Sequence, residues 1–384
     1  MKEITILGGG IAGLTTAIAL KKIGIKTTIF EAAPEMKPVG AGLGLGANAL
    51  KAFDYLGIAA DILKTGRLLE AFTLYDEAGK IITRTDSKAV SAKYGADNFT
   101  IHRAVLHEIL LSKIDPFSIV TNQRAIDFEQ KEGSVIVKFQ SGMTYETDYL
   151  VVADGIHSPI RQKLLPNSKP RYAGYTCWRG VIDNTDLNLN EASETWGAAG
   201  RMGILPMANN KIYWFACVNA PQNDPTMKAY TIADVQSIFK DYHAPIPEML
   251  AHTKQEQVFW NDIIDLEPIS QYAFNNIVLI GDAAHATTPN LGQGACQAIE
   301  DAVILADEIK AHDNIVTAFK SFERRRLKRT HYVVNTSWAV GKVAQLQNAL
   351  LVALRNAAFR LIPASVNERQ LRKLYQVDFG KGTL

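Results

Sequence analysis

Gly8, Gly10 and Gly13, in the run Gly8-Gly9-Gly10-Ile11-Ala12-Gly13, have the spacing of a loop that cradles phosphate. In such a loop the first glycine makes a tight turn, the second lets the backbone approach a pyrophosphate, and the third lets a helix pack on a strand, with Ala12 beside it. Glu31 follows at the interval of about 20 residues at which a carboxylate accepts ribose hydroxyls, and it disfavours a 2′-phosphate. The chemistry is dinucleotide binding, and a nicotinamide or a flavin dinucleotide would use the same cradle.

The elements around these residues supply the context the motif needs. Glu3 to Leu7 reads as a strand, Leu14 to Lys22 as a helix and Lys26 to Phe30 as a second strand, a βαβ opening. Tyr149 to Ala153 and Asn276 to Ile280 repeat the pattern of a short buried strand entering a glycine-containing loop. Arg171 to about Phe259 alternates apolar and polar residues and reads as an antiparallel sheet. From Gln293 onward the pattern turns helical, with long runs at Ala295 to Ala311 and Ile315 to Ala339. The expected fold is α/β, with a Rossmann-like nucleotide domain assembled from separated segments, an antiparallel sheet between them, and C-terminal helices.

Composition narrows the function classes. A chain of 384 residues holds two or three domains, and 47% hydrophobic with 21% charged residues is ordinary globular composition. A formal net charge of +2 offers no field for a nucleic-acid backbone. Cys177, Cys217 and Cys296 are far apart and read as reduced thiols; no metal-ligand, zinc-protease, nucleophile-elbow or Walker spacing occurs. No export signal is visible, so a cytoplasmic protein is expected. Leu346 to Pro363 carries too many polar residues for a membrane span and reads as an amphipathic helix packed on the body, with loose membrane contact left open. The basic run Arg324 to Arg329 reads as a solvated helix face, and His285 as a packing or helix-end residue.

Two further loops carry a resemblance. Val151-Val152-Ala153-Asp154-Gly155-Ile156-His157-Ser158-Pro159-Ile160-Arg161 follows one buried strand, and Gly281-Asp282-Ala283-Ala284-His285-Ala286-Thr287-Thr288-Pro289-Asn290-Leu291-Gly292-Gln293-Gly294 follows another. With the opening cradle they resemble the three fingerprints of single-component FAD-dependent aromatic monooxygenases with the p-hydroxybenzoate hydroxylase fold. The resemblance implies bound FAD, with Asp282 accepting from a ribityl hydroxyl. Pro289, Gly292, Gly294 and Ala295 would bring a helix N-terminus to the flavin, where backbone N–H groups suit a reduced ring carrying negative charge. His102-Arg103-Ala104-Val105-Leu106 resembles the family's helix start whose Arg reaches the FAD phosphates, and Asp154 would lie near the pyrophosphate and the nicotinamide passage. Gly40 to Gly46 would lie along the flavin before a helix at Asn48 to Leu56, with Ala47 where the family commonly has Pro.

The stretch Pro170 to Gly180 resembles the start of the substrate-facing sheet in urate hydroxylases and zeaxanthin epoxidases. Arg201 and, 12 positions on, Tyr213 match the urate-hydroxylase pattern in which the Arg orients the substrate and the Tyr assists hydroxylation. A guanidinium can hold an anionic oxygen and a phenol can relay a proton. Tyr213, within Tyr-Trp-Phe, also fits a packed core position, and Trp178, Trp196 and Trp214 fit either a pocket or a core.

The implied organisation is an FAD-binding domain over 1–70, 96–170 and 271–340, a substrate domain over 71–95 and 171–270, and a C-terminal helical segment over 341–384. The implied reaction uses NADH or NADPH and O2, through a flavin C4a-hydroperoxide, to oxygenate a small electron-rich aromatic or heteroaromatic substrate, in a monomer or homodimer without a metal. Alkene epoxidation, antibiotic modification, an FAD-dependent reductase without oxygen insertion and a flavin-binding escort protein are the other readings.

Overall fold

The computed structural model describes residues 3–36 and 40–379. Residues 1–2 and 37–39, in the expected segment 1–70, and 380–384, in the expected C-terminal segment, lie outside the described residues.

Among the described residues six strands form a nucleotide-binding sheet in the order Ala273–Phe274, Ile277–Leu279, Leu150–Val152, Glu3–Leu7, Lys26–Phe30 and Ile119–Val120. All neighbours are parallel except the first pair, so strands distant in sequence meet side by side. The central strands are buried runs such as Leu150-Val151-Val152, as a sheet covered on both faces requires. The helices Ile11–Lys22 and Gly294–Ala311 pack on it within one continuous apolar core.

The second large sheet runs Phe259–Leu266, Pro170–Asp183, Lys211–Asn219, Arg201–Met207, Ala192–Trp196, Ala71–Asp76, Ile81–Asp86. Its strands between Pro170 and Leu266 pair antiparallel, as the alternating pattern leads one to expect, and one parallel pair, Ala192–Trp196 with Ala71–Asp76, joins them to a hairpin from far upstream. The helices Pro225–Ala229, Ile232–Phe239 and Ile246–Ala251 also lie within the stretch read as sheet. They cover one face, burying Trp178 and Trp214 with Met202, Ile204 and Phe239. These two tryptophans are therefore core, each side chain contributing on the order of 1.5–3 kcal/mol or more. Alternation sends Cys177, Arg179, Tyr213, Phe215, Cys217, Arg201 and Gly203 to the opposite face.

Two expectations about the helices fail. The basic run on Ile315–Ala344 is not a solvated face: Arg326 is fully buried, donating to Asp301 and Glu300 at 2.6 Å each, and Arg329 donates to Glu300 at 2.6 Å. Positions 326 and 329 turn towards the helix Gly294–Ala311, whose buried acids require partners, while Arg324 and Lys328 turn outward. The helix Ala349–Arg360, started by the Asn348 cap, packs in the reverse of the expected sense, with Arg355 and Asn356 buried and Leu350, Leu351 and Leu354 exposed.

Candidate active site

The three glycine-containing loops converge at the C-terminal edge of the parallel sheet. Gly8 has φ +100° and lies so close to the second loop that a Cβ would stand 2.3 Å from the Ala153 carbonyl oxygen. A Cβ on Gly13 would stand 1.9 Å from the Gly8 carbonyl oxygen, whereas nothing lies within 4 Å of one on Gly10. The turn and the helix–strand contact thus need glycine, and Gly10 leaves room for a ligand. Ala12 meets the third loop, its Cβ 2.8 Å from where a Cβ on Gly281 would be.

A cleft of ≈ 260 Å³ opens here, lined by Gly8, Gly10, Glu31, Arg124, Asp154 and Gly155 among others. Glu31 accepts from the Gly9 N–H at 2.6 Å and the Ala33 N–H at 2.7 Å, which fixes its carboxylate while leaving each oxygen a further lone pair. Both carboxylate oxygens of Asp154 are buried without a partner, and loss of hydration pushes the group up to about 6. Asp282 begins a short helix, Asp282–His285. Protein crowding around it raises its carboxyl, and His285 and Arg103 oppose the rise. Arg103 begins the helix Arg103–Leu111, exposed, with its chain lying on Gly40. His285 is buried with Nε2 2.6 Å from Asp301 Oδ2, a packing role.

Pro289 opens a single turn, Pro289–Leu291, which ends at Gly292 with φ +62°. Gly294 and Ala295 then start the helix Gly294–Ala311 with no side-chain cap, leaving backbone N–H groups for a ligand. An unpartnered acid, open space over Gly10 and an uncapped helix start fit a dinucleotide.

The face of the large sheet opposite the two tryptophans meets this region in three cross-strand rows. Cys177, Cys217 and Arg201 form one, Arg179, Phe215 and Gly203 the next, and Val181, Tyr213 and Leu205 the third. Asn290 sits over the first row, accepting from Arg201 Nη2 at 2.8 Å and from the Tyr175 hydroxyl at 3.1 Å. The strand Gly42–Leu45 sits over the third, with the Tyr213 side chain against Gly42 and Leu205 near Gly44. The middle row lies between these two segments.

Arg201 and Tyr213 do share a face, as their even separation requires. They are not neighbours: Tyr213 pairs with Leu205, four residues or about 13 Å along the strand from Arg201. Arg201 is 2% exposed and its charge is met by Glu194 at 3.2 Å, with Nε left as a buried unpartnered donor. The cation beside Tyr213 is Arg179, which the sequence reading passed over. Among the described residues no carboxylate pairs with it; its Nε lies 3.4 Å from Cys177 Sγ, and that sulfur helps keep the guanidinium charged. Burial holds the Tyr213 phenol above its ordinary value, opposed by Arg179. Asn290 was also passed over, although it lay inside a quoted loop. A lone Asn carries no signal until its partners across the sheet are seen.

The described residues contain no helix long and apolar enough to cross a membrane and no cluster of metal-ligand type. A family model described as FAD binding domain matches residues 1–337. An aurachin C monooxygenase/isomerase of Stigmatella aurantiaca is 34% identical over 376 residues, covering 97% of each chain. A 2-heptyl-3-hydroxy-4(1H)-quinolone synthase of Pseudomonas aeruginosa is 30% identical over 383 residues, again 97% of each. The crystal structure of Klebsiella pneumoniae HpxO with FAD and uric acid superposes with TM-score 0.89 at 27% identity, covering 97% of this chain and 95% of that one.

Proposed function

The chain belongs to the family of FAD-dependent aromatic monooxygenases with the p-hydroxybenzoate hydroxylase fold, and from this we propose that it oxygenates a bicyclic heteroaromatic ring bearing an apolar substituent. When bound, FAD supplies the redox chemistry that activates O2 at the expense of NAD(P)H. Gly8, Gly10, Ala12, Gly13, Glu31, Arg103 and Asp154 would hold its adenosine and pyrophosphate, and Asp282, Pro289, Gly292, Gly294 and Ala295 its ribityl chain and ring.

The observation that carries the substrate reading is the middle row of the sheet: one cation without a carboxylate partner, Arg179, beside the apolar ring of Phe215 and the phenol of Tyr213. Arg179 would take the ring oxygen of the substrate as negative charge grows on it, and Tyr213, held protonated by burial, would donate to the same oxygen. Arg201 would act mainly by holding Asn290, with its Nε–H as one further donor. Phe215 and Leu205 offer apolar surface that a purine would leave unused, and the relatives named for aurachin C and for a heptyl quinolone support a lipophilic ring. Closure of the sheet over the ring would exclude water and so suppress peroxide release.

The test is NAD(P)H oxidation by the purified flavoprotein with 4-quinolones of increasing alkyl length, urate and hydroxybenzoates, with peroxide monitored. An alkyl quinolone should accelerate oxidation while lowering peroxide. Coupled turnover of urate alone would overturn the substrate class and leave the monooxygenase reading intact.

A further inference from the structure

The helix Ala349–Arg360 presents its apolar residues to the outside. Leu350 is 69%, Leu351 47% and Leu354 58% exposed, and Leu361, just past its end, 81%. Ala349, Ala353, Ala357 and Ala358 are exposed beside them, so no polar side chain interrupts the outward stripe between 349 and 358. Positions 350, 354, 358 and 361 lie one above another on a helix. The inward side carries Val352 and Phe359, which rests on the Trp196 ring, and between them a polar pair whose groups are fully used. Arg355 is buried and donates to the carbonyls of Ala344 at 3.0 Å and Trp196 at 3.1 Å and to Asn356 Oδ1 at 3.0 Å, with its guanidinium 5.2 Å from the Trp196 ring centroid. Rolling the helix to bury its leucines would strand that guanidinium, so the outward stripe is fixed by the packing beneath it.

We propose that this stripe docks on the interfacial region of an anionic lipid leaflet. At 12 residues, about 18 Å, the helix is too short to span a bilayer, and its length suits lying in the interface. Its surface is leucine and alanine alone. Protein interfaces draw on aromatic and arginine anchors and on a hydrogen bond per 100–200 Å² or so, and this stripe offers neither, whereas acyl chains require none. The exposed charge around it has the matching sign: with Arg355 buried and Arg360 paired to Asp76, residues 342–379 still expose Lys342, Arg369, Arg372 and Lys373 against the acids Glu368 and Asp378. In the following helix, Ala364–Tyr375, Arg369, Arg372 and Lys373 are exposed, while Glu368 is taken by Lys93. The adjoining edge strand adds exposed Ile81, whose carbonyl accepts from Arg360. The lipid-facing helix is wired to the site as well, because Trp196 donates to Glu194 and Glu194 accepts from Arg201. The inference is independent of the substrate class proposed above.

Flotation of the holoenzyme with vesicles tests it, using phosphatidylcholine alone and phosphatidylcholine mixed with phosphatidylglycerol. The wild type should float with the mixed vesicles and less with the neutral ones. The variant Leu350→Gln/Leu354→Gln/Leu361→Gln, altered only at exposed positions, should lose about tenfold or more of the bound fraction while keeping flavin content and NAD(P)H turnover. Arg369→Glu/Arg372→Glu should lose only the preference for the anionic vesicles. Wild type that floats with neither vesicle, or a leucine variant that floats as well as wild type, overturns the proposal. A concentration-dependent dimer in sedimentation that the leucine variant abolishes would instead assign the stripe to a second copy of the chain.

Discussion

Arg201 of the large sheet donates from Nη2 to Asn290 Oδ1 at 2.8 Å, and Asn290 belongs to the loop between Asp282 and the helix start at Gly294. A residue of that loop is thereby bolted to the sheet face that carries Arg179 and Tyr213. The amide of Asn290 donates in turn to Thr288 Oγ1 and to the Ser337 carbonyl at 2.8 Å each, so the contact is braced from behind. The spacing of this loop from the large sheet follows from this contact rather than from either element alone.

Asn290→Ala should therefore bind FAD and oxidise NAD(P)H but couple poorly. Losing a hydrogen bond to a charged group is worth about 1.5–3 kcal/mol, so the yield of product per NAD(P)H should fall roughly 10- to 100-fold with peroxide rising to match. Peroxide assay beside NAD(P)H consumption checks it.

Arg179→Gln should raise the dissociation constant of the substrate and lower kcat/KM by about 10²-fold or more, because the cation of the middle row is lost. Substrate titration followed by flavin absorbance reads binding separately from turnover. Lysine at 179 should recover part of the affinity.

Tyr213→Phe should leave substrate binding nearly intact and reduce kcat. Burial keeps the phenol protonated well above neutrality, so the wild-type profile should show no Tyr213 ionisation from pH 6 to 9. Stopped-flow rates across that range, for both proteins, provide the comparison.

Asp154 predicts a pH-dependent stability. Its folded value is raised to about 6, above the ordinary value near 4, so the folded state binds the proton more tightly than the unfolded chain. Stability therefore falls as pH rises from about 4 to about 6, by up to about 3 kcal/mol, and the loss persists above. Asp154→Asn in flavin-free protein should melt higher than wild type at pH 7.5 and equally at pH 4. Equal melting at both values would contradict the assignment.

Arg326→Met should lower thermal stability by about 3–5 kcal/mol, since it leaves Asp301 and one side of Glu300 without their cation in the core. Arg324→Met, at an exposed position of the same run, should change little. Melting curves of the two holoproteins separate these outcomes.

Much of the nucleotide side was legible because its signals are local. Gly8, Gly10 and Gly13 sit within six residues, and strand, turn and helix are read from the same stretch. The four central strands of the parallel sheet were legible as short runs, whereas its edge strands Ile119–Val120 and Ala273–Phe274, two residues each, are too short to carry a pattern. What escaped depended on partners far away in sequence. Arg326 resembles its neighbour Arg324 until Glu300 and Asp301 are seen against it. Helix Ala349–Arg360 has the composition of an amphipathic helix, and only the pocket made by Trp196 and Ala344 explains why Arg355 enters while Leu354 stays out. At the site, counting along the chain put Arg201 and Tyr213 on one face, but register across three strands was needed to find that Arg179 is the nearer cation.

The fate of molecular oxygen tests the monooxygenase reaction most directly. With ¹⁸O2, NAD(P)H and the alkyl quinolone that gives the best coupling, mass spectrometry of the product should show one labelled oxygen atom for each NAD(P)H consumed. A product reduced at a double bond, or one oxygenated only from unlabelled water, would contradict it.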